Sequence, residues 1–136
     1  MKRDWLRIVD ANLNRSREGL RVCEEIARFI LNDTKLTAKF KSLRHSISSS
    51  IKKVPGLSKE LLNYRDSQAD VGKTKVCVHP GRASYQDVFY ANIQRVKESL
   101  RVLEEFSKIF DYSISNSFAR LRFKTYELEK KTIAKL

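Results

Sequence analysis

The segment RDSQADVGK, residues 65–73, carries side chains of the types that a magnesium–phosphate site uses. Asp66 and Asp70 are four residues apart, with Arg65 and Lys73 beside them. Carboxylate oxygens bind a hard cation such as Mg²⁺, and basic side chains bind phosphate oxygens. The same residues also fit an exposed turn with solvated charges, and the sequence alone leaves both interpretations open.

A second group of polar residues occurs twice. The stretches ANLNRSREGLRVCEE (11–25) and ANIQRVKESLRVLEE (91–105) each carry an asparagine, an arginine and a glutamate at three-residue steps. The two sets are Asn12, Arg15 and Glu18, and Asn92, Arg95 and Glu98. A helical wheel, at about 100° per residue, places the asparagine in the apolar face and the arginine at its edge. Arg21 and Glu24 fall on the far side and are expected to be exposed.

A buried amide and a half-buried guanidinium are costly unless they are hydrogen-bonded. Two explanations for keeping them twice stay open. One is a polar network that fixes the register between two equivalent helices; the other is a pair of helices that present polar groups to one shared pocket. Gly19 favours the pocket slightly, because a glycine within a helix allows close approach to the backbone.

The elements that must position these residues are helices. Apolar residues at three-, four- and seven-residue steps predict four long helices, with a turn of helix near Ser58 and an ordered loop over 64–83. KVCV, residues 75–78, is a candidate extended piece. The long helices are expected from Leu6 to Ile30, from Asp33 or Thr34 to Pro55, from Ser84 (with Asp87 as capping partner) to Phe110, and from Ser113 or Ser115 to Ile133.

The two halves of the chain correspond. Residues 10–30 and 90–110 share nine identities. In the following helices Phe40, Leu43 and Arg44 match Phe118, Leu121 and Arg122. A duplicated helical hairpin predicts an all-α, four-helix-bundle-like fold with pseudo-twofold symmetry and an ordered central loop. We expect a single domain over 1–136, divided into repeat one (4–54), a central loop segment (55–83) and repeat two (84–136).

Composition narrows the function classes. Hydrophobic residues make up 41% and charged residues 32%, and no apolar run is long enough for a membrane span or a signal peptide, so a cytoplasmic protein without membrane contact is expected. The net charge of +12 calls for an anionic partner. Nucleic acid is disfavoured because no recognised binding motif is present. Cys23 and Cys77 lack the spacing of a metal site, and His45 and His79 lack a catalytic arrangement.

The chain resembles a known family through an ordered set of motifs: DANLNRSREGLRVCEEIARFIL, LRH, RDSQADVG, ANIQRVKESLRVLEEF and FARLRFKTYELE. It looks like the all-helical domain often fused ahead of thiamine phosphate synthase, which is regarded as an alternative hydroxymethylpyrimidine phosphate kinase. The resemblance implies transfer of the γ-phosphoryl group of ATP, with Mg²⁺, to 4-amino-5-hydroxymethyl-2-methylpyrimidine phosphate in thiamine biosynthesis. The barrel of the synthase does not fit within 136 helical residues, so synthase activity is not expected.

The resemblance also suggests roles for individual residues. Arg15, Arg95 and Arg65 would bind phosphate, with Lys73 as a further candidate, and Asp66 and Asp70 would bind Mg²⁺, with Glu18 or Glu98. Asn12 and Asn92 would hydrogen-bond the pyrimidine or adenine ring, and Gly72 would let phosphate approach the loop backbone. Arg44 and His45 would face the same pocket. Thiamine phosphate synthase and a second copy of the chain are the candidate protein partners. The alternative is a non-enzymatic module that binds RNA through the basic last helix or regulates a separate synthase.

Overall fold

The computed structural model describes residues 3–73 and 81–136, and within these ranges the protein is helical without a strand. A π-helical turn, Ile26–Ile30, extends the first helix, and a 3₁₀ turn, Val71–Lys73, follows the third. The all-α prediction is confirmed; KVCV, Cys77 and His79 lie outside the described residues. The helices are α1 (Trp5–Glu25), α2 (Thr34–Lys52), α3 (Leu57–Tyr64), α4 (Tyr85–Ser107) and α5 (Tyr112–Ile133).

The direction of each long helix follows from its contacts. Trp5 stacks on Phe110 at 5.3 Å between ring centroids, whereas Gly19 lies against Val96, so α1 and α4 are antiparallel. The hairpin partners α1/α2 and α4/α5 pack side by side, and α2 packs on α5. These four helices therefore enclose one core, whose largest fully buried side chains are Phe40, Phe89 and Phe118.

The connection between the two hairpins places the polar loop. The helices α2 and α4 are both antiparallel to α1 and therefore run in the same direction. After α2, α3 packs on α1 and α2 through buried Leu57 and Leu61. This packing brings residues 65–70 alongside the first half of α1.

The helix starts show which capping predictions hold. Ser84 begins α4 and its hydroxyl accepts from the Asp87 amide, and Asp33 begins α2 by accepting from the Leu36 amide, both as expected. The prediction of Ser113 or Ser115 as the cap of α5 is wrong. Asp111 has the extended backbone of an N-cap and accepts from the Ile114 amide, whereas Ser115 donates to the Glu104 carbonyl.

Equivalent residues of the two halves make equivalent contacts. Asp33 and Asp111 each accept from the amide three residues on. Arg44 and Arg122, which are aligned in the two halves, also make equivalent ion pairs: Arg44 with Glu24 at 3.2 Å and Arg122 with Glu104 at 3.1 Å. Both kinds of contact thus recur at matching positions of the two halves, and the duplication itself stays a prediction.

The small residue Gly19 sets the distance between α1 and α4. A Cβ atom at this position would lie 2.8 Å from Val96 Cγ2 and 3.0 Å from the Asn92 carbonyl oxygen. The close approach that Gly19 permits is therefore that of α4. The sequence had suggested that this glycine admits a ligand, but the packing of α4 is enough to explain a glycine at this position. Cys23 is buried in the same core, and burial raises the pKa of its thiol to about 12, so it is not poised as a nucleophile.

None of the helices in the described ranges is both long enough and apolar enough to cross a membrane.

Candidate functional site

A cavity of about 550 Å³ lies between the first half of α1 and the loop that follows α3. We call it the loop cavity. It is lined by Asp4, Arg7, Ile8, Asp10, Ala11, Asn12, Asn14, Arg15, Arg65, Asp66, Ser67 and Asp70. Five of the residues predicted to form a site, from two separate segments of the sequence, are thus brought to one place: Asn12, Arg15, Arg65, Asp66 and Asp70.

Asp10 and Arg65 join the two walls of the loop cavity. The Arg65 guanidinium donates from Nε and Nη2 to the two oxygens of the Asp10 carboxylate, each at 2.7 Å. The hydrogen bond first, and the negative charge second, raise the pKa of Arg65 above its usual value. Asp10 is buried, while nearly half of the Arg65 side chain is exposed. The buried carboxylate therefore holds an exposed guanidinium in a fixed orientation.

The loop carboxylates are held by the loop's own backbone. Asp66 Oδ1 accepts from the Ala69 amide at 3.1 Å, and Asp70 Oδ1 accepts from the Gly72 amide at 2.9 Å. Arg7 donates to the Asp66 carbonyl oxygen at 3.2 Å and so ties the loop to α1. In each carboxylate Oδ2 makes no hydrogen bond to the described residues, and both groups face the loop cavity.

The donor types of these two carboxylates are those of a magnesium ion that is shared with phosphate. In residues 3–73 and 81–136, no cluster of three or more His, Cys, Asp or Glu side chains could hold a metal by itself. Mg²⁺ in phosphoryl-transfer sites usually has one or two protein carboxylates, and phosphate oxygens and water complete its coordination. Asp66 and Asp70 match that donor set.

The charges lining the loop cavity favour a metal-bound anion. Its four carboxylates, Asp4, Asp10, Asp66 and Asp70, accompany the guanidiniums of Arg7, Arg15 and Arg65. A bare polyphosphate would meet more negative than positive groups, whereas its Mg²⁺ complex would have partners for both components.

Asn12 and Arg15 enter the loop cavity from α1 in different ways. Asn12 is buried, as the wheel predicts, and its Nδ2 donates to the Ile8 carbonyl at 2.8 Å, which leaves the amide oxygen as an acceptor. Arg15 is exposed instead of half-buried and makes no ion pair with the described residues. It is therefore a cation on the cavity wall without a protein counter-ion in that part of the chain.

The expectation that both long helices line one hollow is wrong. Antiparallel packing places Asn92 beside Gly19, in the half of the α1–α4 pair opposite to the loop cavity. Asn92 repeats the Asn12 contact by donating to the Val88 carbonyl at 2.8 Å, and Arg95 is exposed. Glu98 lines a separate surface cavity of about 450 Å³ beside Lys97. The second polar set thus shares the local geometry of the first without sharing its cavity.

The remaining candidates also lie away from the loop cavity. Glu18, His45, Gly72 and Lys73 are exposed and do not line it, although the Gly72 amide supports Asp70. Arg44 lies between α1 and α2, where it pairs with Glu24.

Glu24 is the residue for which the helical wheel was misleading. It was expected to be exposed but is only 3% exposed, because Arg44 and Arg21 satisfy its carboxylate. Pairing with two guanidiniums allows a charge to lie where the apolar pattern alone does not predict it.

A smaller cavity of about 270 Å³ adjoins the loop cavity and shares Asp10, Asn14 and Arg65 with it. We call it the three-helix cavity, because α1, α2 and α3 form its remaining walls. Those walls consist of Leu13, Arg17, Ser48, Ile51, Lys52, Ser58 and Leu61.

Sequence reasoning missed Asp10, Arg7 and Asn14 at the loop cavity, and Arg17 and Lys52 at the three-helix cavity. Asp10 and Asn14 lie within the conspicuous stretch DANLNRSREG, four residues apart and hence on one face of α1. That spacing was a signal for them. Lys52 carried none, because only the packing of α2 on α1 brings it near this site.

The profile described as the ThiD2 family matches residues 7–131. The chain belongs to the ThiD2 family. The match covers both hairpins and the whole lining of the three-helix cavity, and of the residues that line the loop cavity only Asp4 lies outside it.

Longer curated relatives share this region with the chain. Thiamine-phosphate synthase of Nostoc punctiforme is 41% identical over 126 residues, which is 90% of this chain and 34% of the relative. Thiamine-phosphate synthase of Rhodopirellula baltica is 38% identical over 134 residues, covering 95% and 35% respectively. The ThiD2-family chain thus spans about a third of the length of these relatives. No solved structure matches it.

Proposed function

We propose that this ThiD2-family protein is a kinase of thiamine biosynthesis that phosphorylates 4-amino-5-hydroxymethyl-2-methylpyrimidine phosphate with ATP. Family membership and relatives named thiamine-phosphate synthase support the thiamine-biosynthetic role. The observation that carries the phosphoryl-transfer step is the loop cavity, where Arg15 and Arg65 face Asp66 and Asp70.

The name thiamine-phosphate synthase describes relatives that are much longer than this chain, and it does not establish synthase activity for the chain. The chain covers 34% of the Nostoc punctiforme relative, so the synthase activity in that name can belong to the part that the chain does not match. The described residues contain no strand with which to build a barrel. An activity of the helical region itself is therefore the simpler proposal.

The chemistry suits a site that has arginines and aspartates. The acceptor is already an anionic phosphate, so its oxygen needs no general base before it attacks the γ-phosphorus. The new P–O bond forms as the bond between the γ-phosphorus and the bridging oxygen breaks, and ADP leaves with that electron pair. The work of the protein is to align two polyanions and to stabilise the charge on the transferred group.

Each side chain then has a defined task. Arg15 and Arg65 bind phosphate oxygens, with Asp10 keeping Arg65 in position. Asp66 and Asp70 hold Mg²⁺, which when bound neutralises phosphate charge. The free amide oxygen of Asn12 accepts a hydrogen bond from the exocyclic amine of a bound ring.

The test is direct formation of ADP. Purified protein with ATP, Mg²⁺ and the pyrimidine monophosphate should yield ADP and the pyrimidine pyrophosphate in equal amounts. Both products are measured by ³¹P NMR or by anion-exchange chromatography. Arg15→Ala and Asp70→Asn should each reduce turnover at least about a hundredfold with unchanged helical circular dichroism. Arg120→Ala, an exposed arginine of α5, is the matched control and should retain activity. Absence of ADP across several divalent metals and pH values would exclude the kinase.

The second candidate is a non-enzymatic binding module, favoured by the basic surface of α5. Lys130 and Lys131 are exposed there and contribute to the net charge of +12. A module of this kind should bind RNA with an affinity that falls steeply with salt, and that affinity should depend on these lysines and not on Arg15.

A further inference from the structure

We infer that the three-helix cavity is the binding site of the phosphorylated acceptor and that Arg65 forms the partition between it and a nucleotide in the loop cavity. This inference deepens the proposed function and depends on it for the identity of the two ligands. It assigns a substrate site to Arg17 and Lys52, to which the preceding proposal gives no role.

The first argument is charge. Apart from Asp10, whose two oxygens are bound to Arg65, the three-helix cavity is lined by no carboxylate, and its other charged groups are Arg17 and Lys52. Neither cation makes an ion pair within residues 3–73 and 81–136. A monophosphate would find complementary charge there without a metal, in contrast to the aspartate-rich loop cavity.

The second argument is shape and polarity. Buried Leu13, Ile51 and Leu61 give the three-helix cavity an apolar floor, and Ser48 and Ser58 add hydroxyl groups. An apolar floor with a cationic rim suits a flat heteroaromatic ring that carries one phosphate. Its volume of about 270 Å³, against about 550 Å³ for the loop cavity, suits the smaller of the two substrates.

The third argument is the shared wall. Arg65 lines both cavities, and two of its five N–H groups bind Asp10. The remaining three are available to phosphate oxygens on either side. A guanidinium between the acceptor phosphate and the γ-phosphoryl group would draw the reacting oxygen and phosphorus together, as transfer between two bound anions requires.

The experiment measures the binding of each ligand separately by isothermal titration calorimetry on the full chain. The probes are the pyrimidine monophosphate alone and a non-hydrolysable ATP analogue, each with Mg²⁺ and with EDTA. The variants are Lys52→Met in the three-helix cavity, Arg15→Ala in the loop cavity, and Lys53→Met, a neighbouring exposed lysine that lines neither cavity, as the matched control.

Lys52→Met should weaken the pyrimidine monophosphate about ten- to a hundredfold and leave the nucleotide analogue within about twofold, because one charge-assisted hydrogen bond is lost. Arg15→Ala should weaken binding of the nucleotide analogue and leave that of the pyrimidine monophosphate within about twofold. Lys53→Met should change neither affinity. EDTA should abolish binding of the nucleotide analogue and spare the monophosphate.

Other outcomes separate the two proposals. Equal effects of Lys52→Met and Lys53→Met, weakening of both ligands by Lys52→Met, EDTA-sensitive monophosphate binding, or no monophosphate binding at all would each overturn the acceptor site. If the wild-type protein shows the expected pattern of binding but forms no ADP, the acceptor site stands and the kinase activity is excluded.

Discussion

Arg65 shows how one buried carboxylate can prepare a phosphate-binding group. The guanidinium is half exposed and would otherwise sample many rotamers, but both Asp10 oxygens hold it at 2.7 Å. The entropy of ordering the side chain is therefore lost on folding and not on ligand binding. Asp10 acts on phosphate only through Arg65, so it is a positioning residue.

The residue-scale prediction is that Asp10→Asn lowers kcat/KM for ADP formation roughly tenfold or more, through the loss of one charge-assisted hydrogen bond. The carboxamide introduced by this substitution has one oxygen, which can accept only one of the two hydrogen bonds from Arg65. Its NH₂ group would face the second Arg65 N–H, which is also a donor. Glu60→Gln is the matched control, because the Glu60–Arg3 pair is an exposed surface contact at 3.5 Å. Wild-type kinetics in Asp10→Asn would show that Arg65 needs no anchoring.

At the scale of the elements, the α1–α4 contact depends on Gly19. Alanine there improves intrinsic helix propensity by about 1 kcal/mol. The added Cβ would nevertheless lie 2.8 Å from Val96 Cγ2 and 3.0 Å from the Asn92 carbonyl oxygen, and overpacking of this kind costs about 1–3 kcal/mol. Because Asn92 O is backbone, the helices must separate to relieve the contact.

We therefore expect Gly19→Ala to lower the free energy of unfolding by about 1 kcal/mol, which is a mid-range overpacking cost less the gain in helix propensity, measured by urea denaturation. Adding Val96→Ala should not restore the wild-type value, because the Asn92 carbonyl remains and truncation of the fully buried Val96 leaves a cavity. Ser99→Ala, at the matching position of α4, introduces no extra atom and should have a much smaller effect. A Gly19→Ala protein as stable as the wild type would contradict the close-contact interpretation.

The start of α5 provides a second element-scale prediction. Asp111→Ala removes the side chain that accepts from the Ile114 amide, and loss of an N-cap costs about 1 kcal/mol. Ser113→Ala, within the first turn of the helix, should leave the urea midpoint nearly unchanged. Equal losses in the two variants would mean that Asp111 does not act as the cap.

The periodicity of apolar residues was sufficient to predict all four long helices, because helices bury one face at a fixed spacing. It was not sufficient to choose the cap of α5. Asp111, Ser113 and Ser115 are all good capping residues, and only the extended backbone at Asp111 selects one of them. Glu24 likewise escaped prediction, because its burial depends on Arg44 of another helix.

At the scale of the whole molecule, the site depends on the packing of α3 on α1, which brings residues 65–70 to it. Residue types were enough to nominate Asn12, Arg15, Arg65, Asp66 and Asp70, which the fold then brings to one cavity. They were not enough to exclude Asn92 and Arg95 from it. That exclusion follows from the antiparallel packing of α1 on α4, and helix direction is set by long-range packing that no local pattern encodes.

Part of the net charge of +12 lies away from this site. On the α2–α5 face, Lys131 lies beside Lys39, and this neighbouring ammonium lowers the pKa of Lys39 below its usual value. Lys131 and Lys39 line a groove between α2 and α5 that shares no residue with the loop cavity. The kinase proposal therefore predicts that charge on this face can change without affecting turnover.

The test is the double variant Lys130→Gln/Lys131→Gln, with Lys135 unchanged because it pairs with Asp33. ADP formation should stay within about twofold of the wild type, and the urea midpoint should be equal or higher, since repulsion between Lys131 and Lys39 is removed. Measuring RNA binding on the same samples separates the two functions. Turnover that falls as far as in Arg15→Ala would place the chemistry on the basic face and not in the loop cavity.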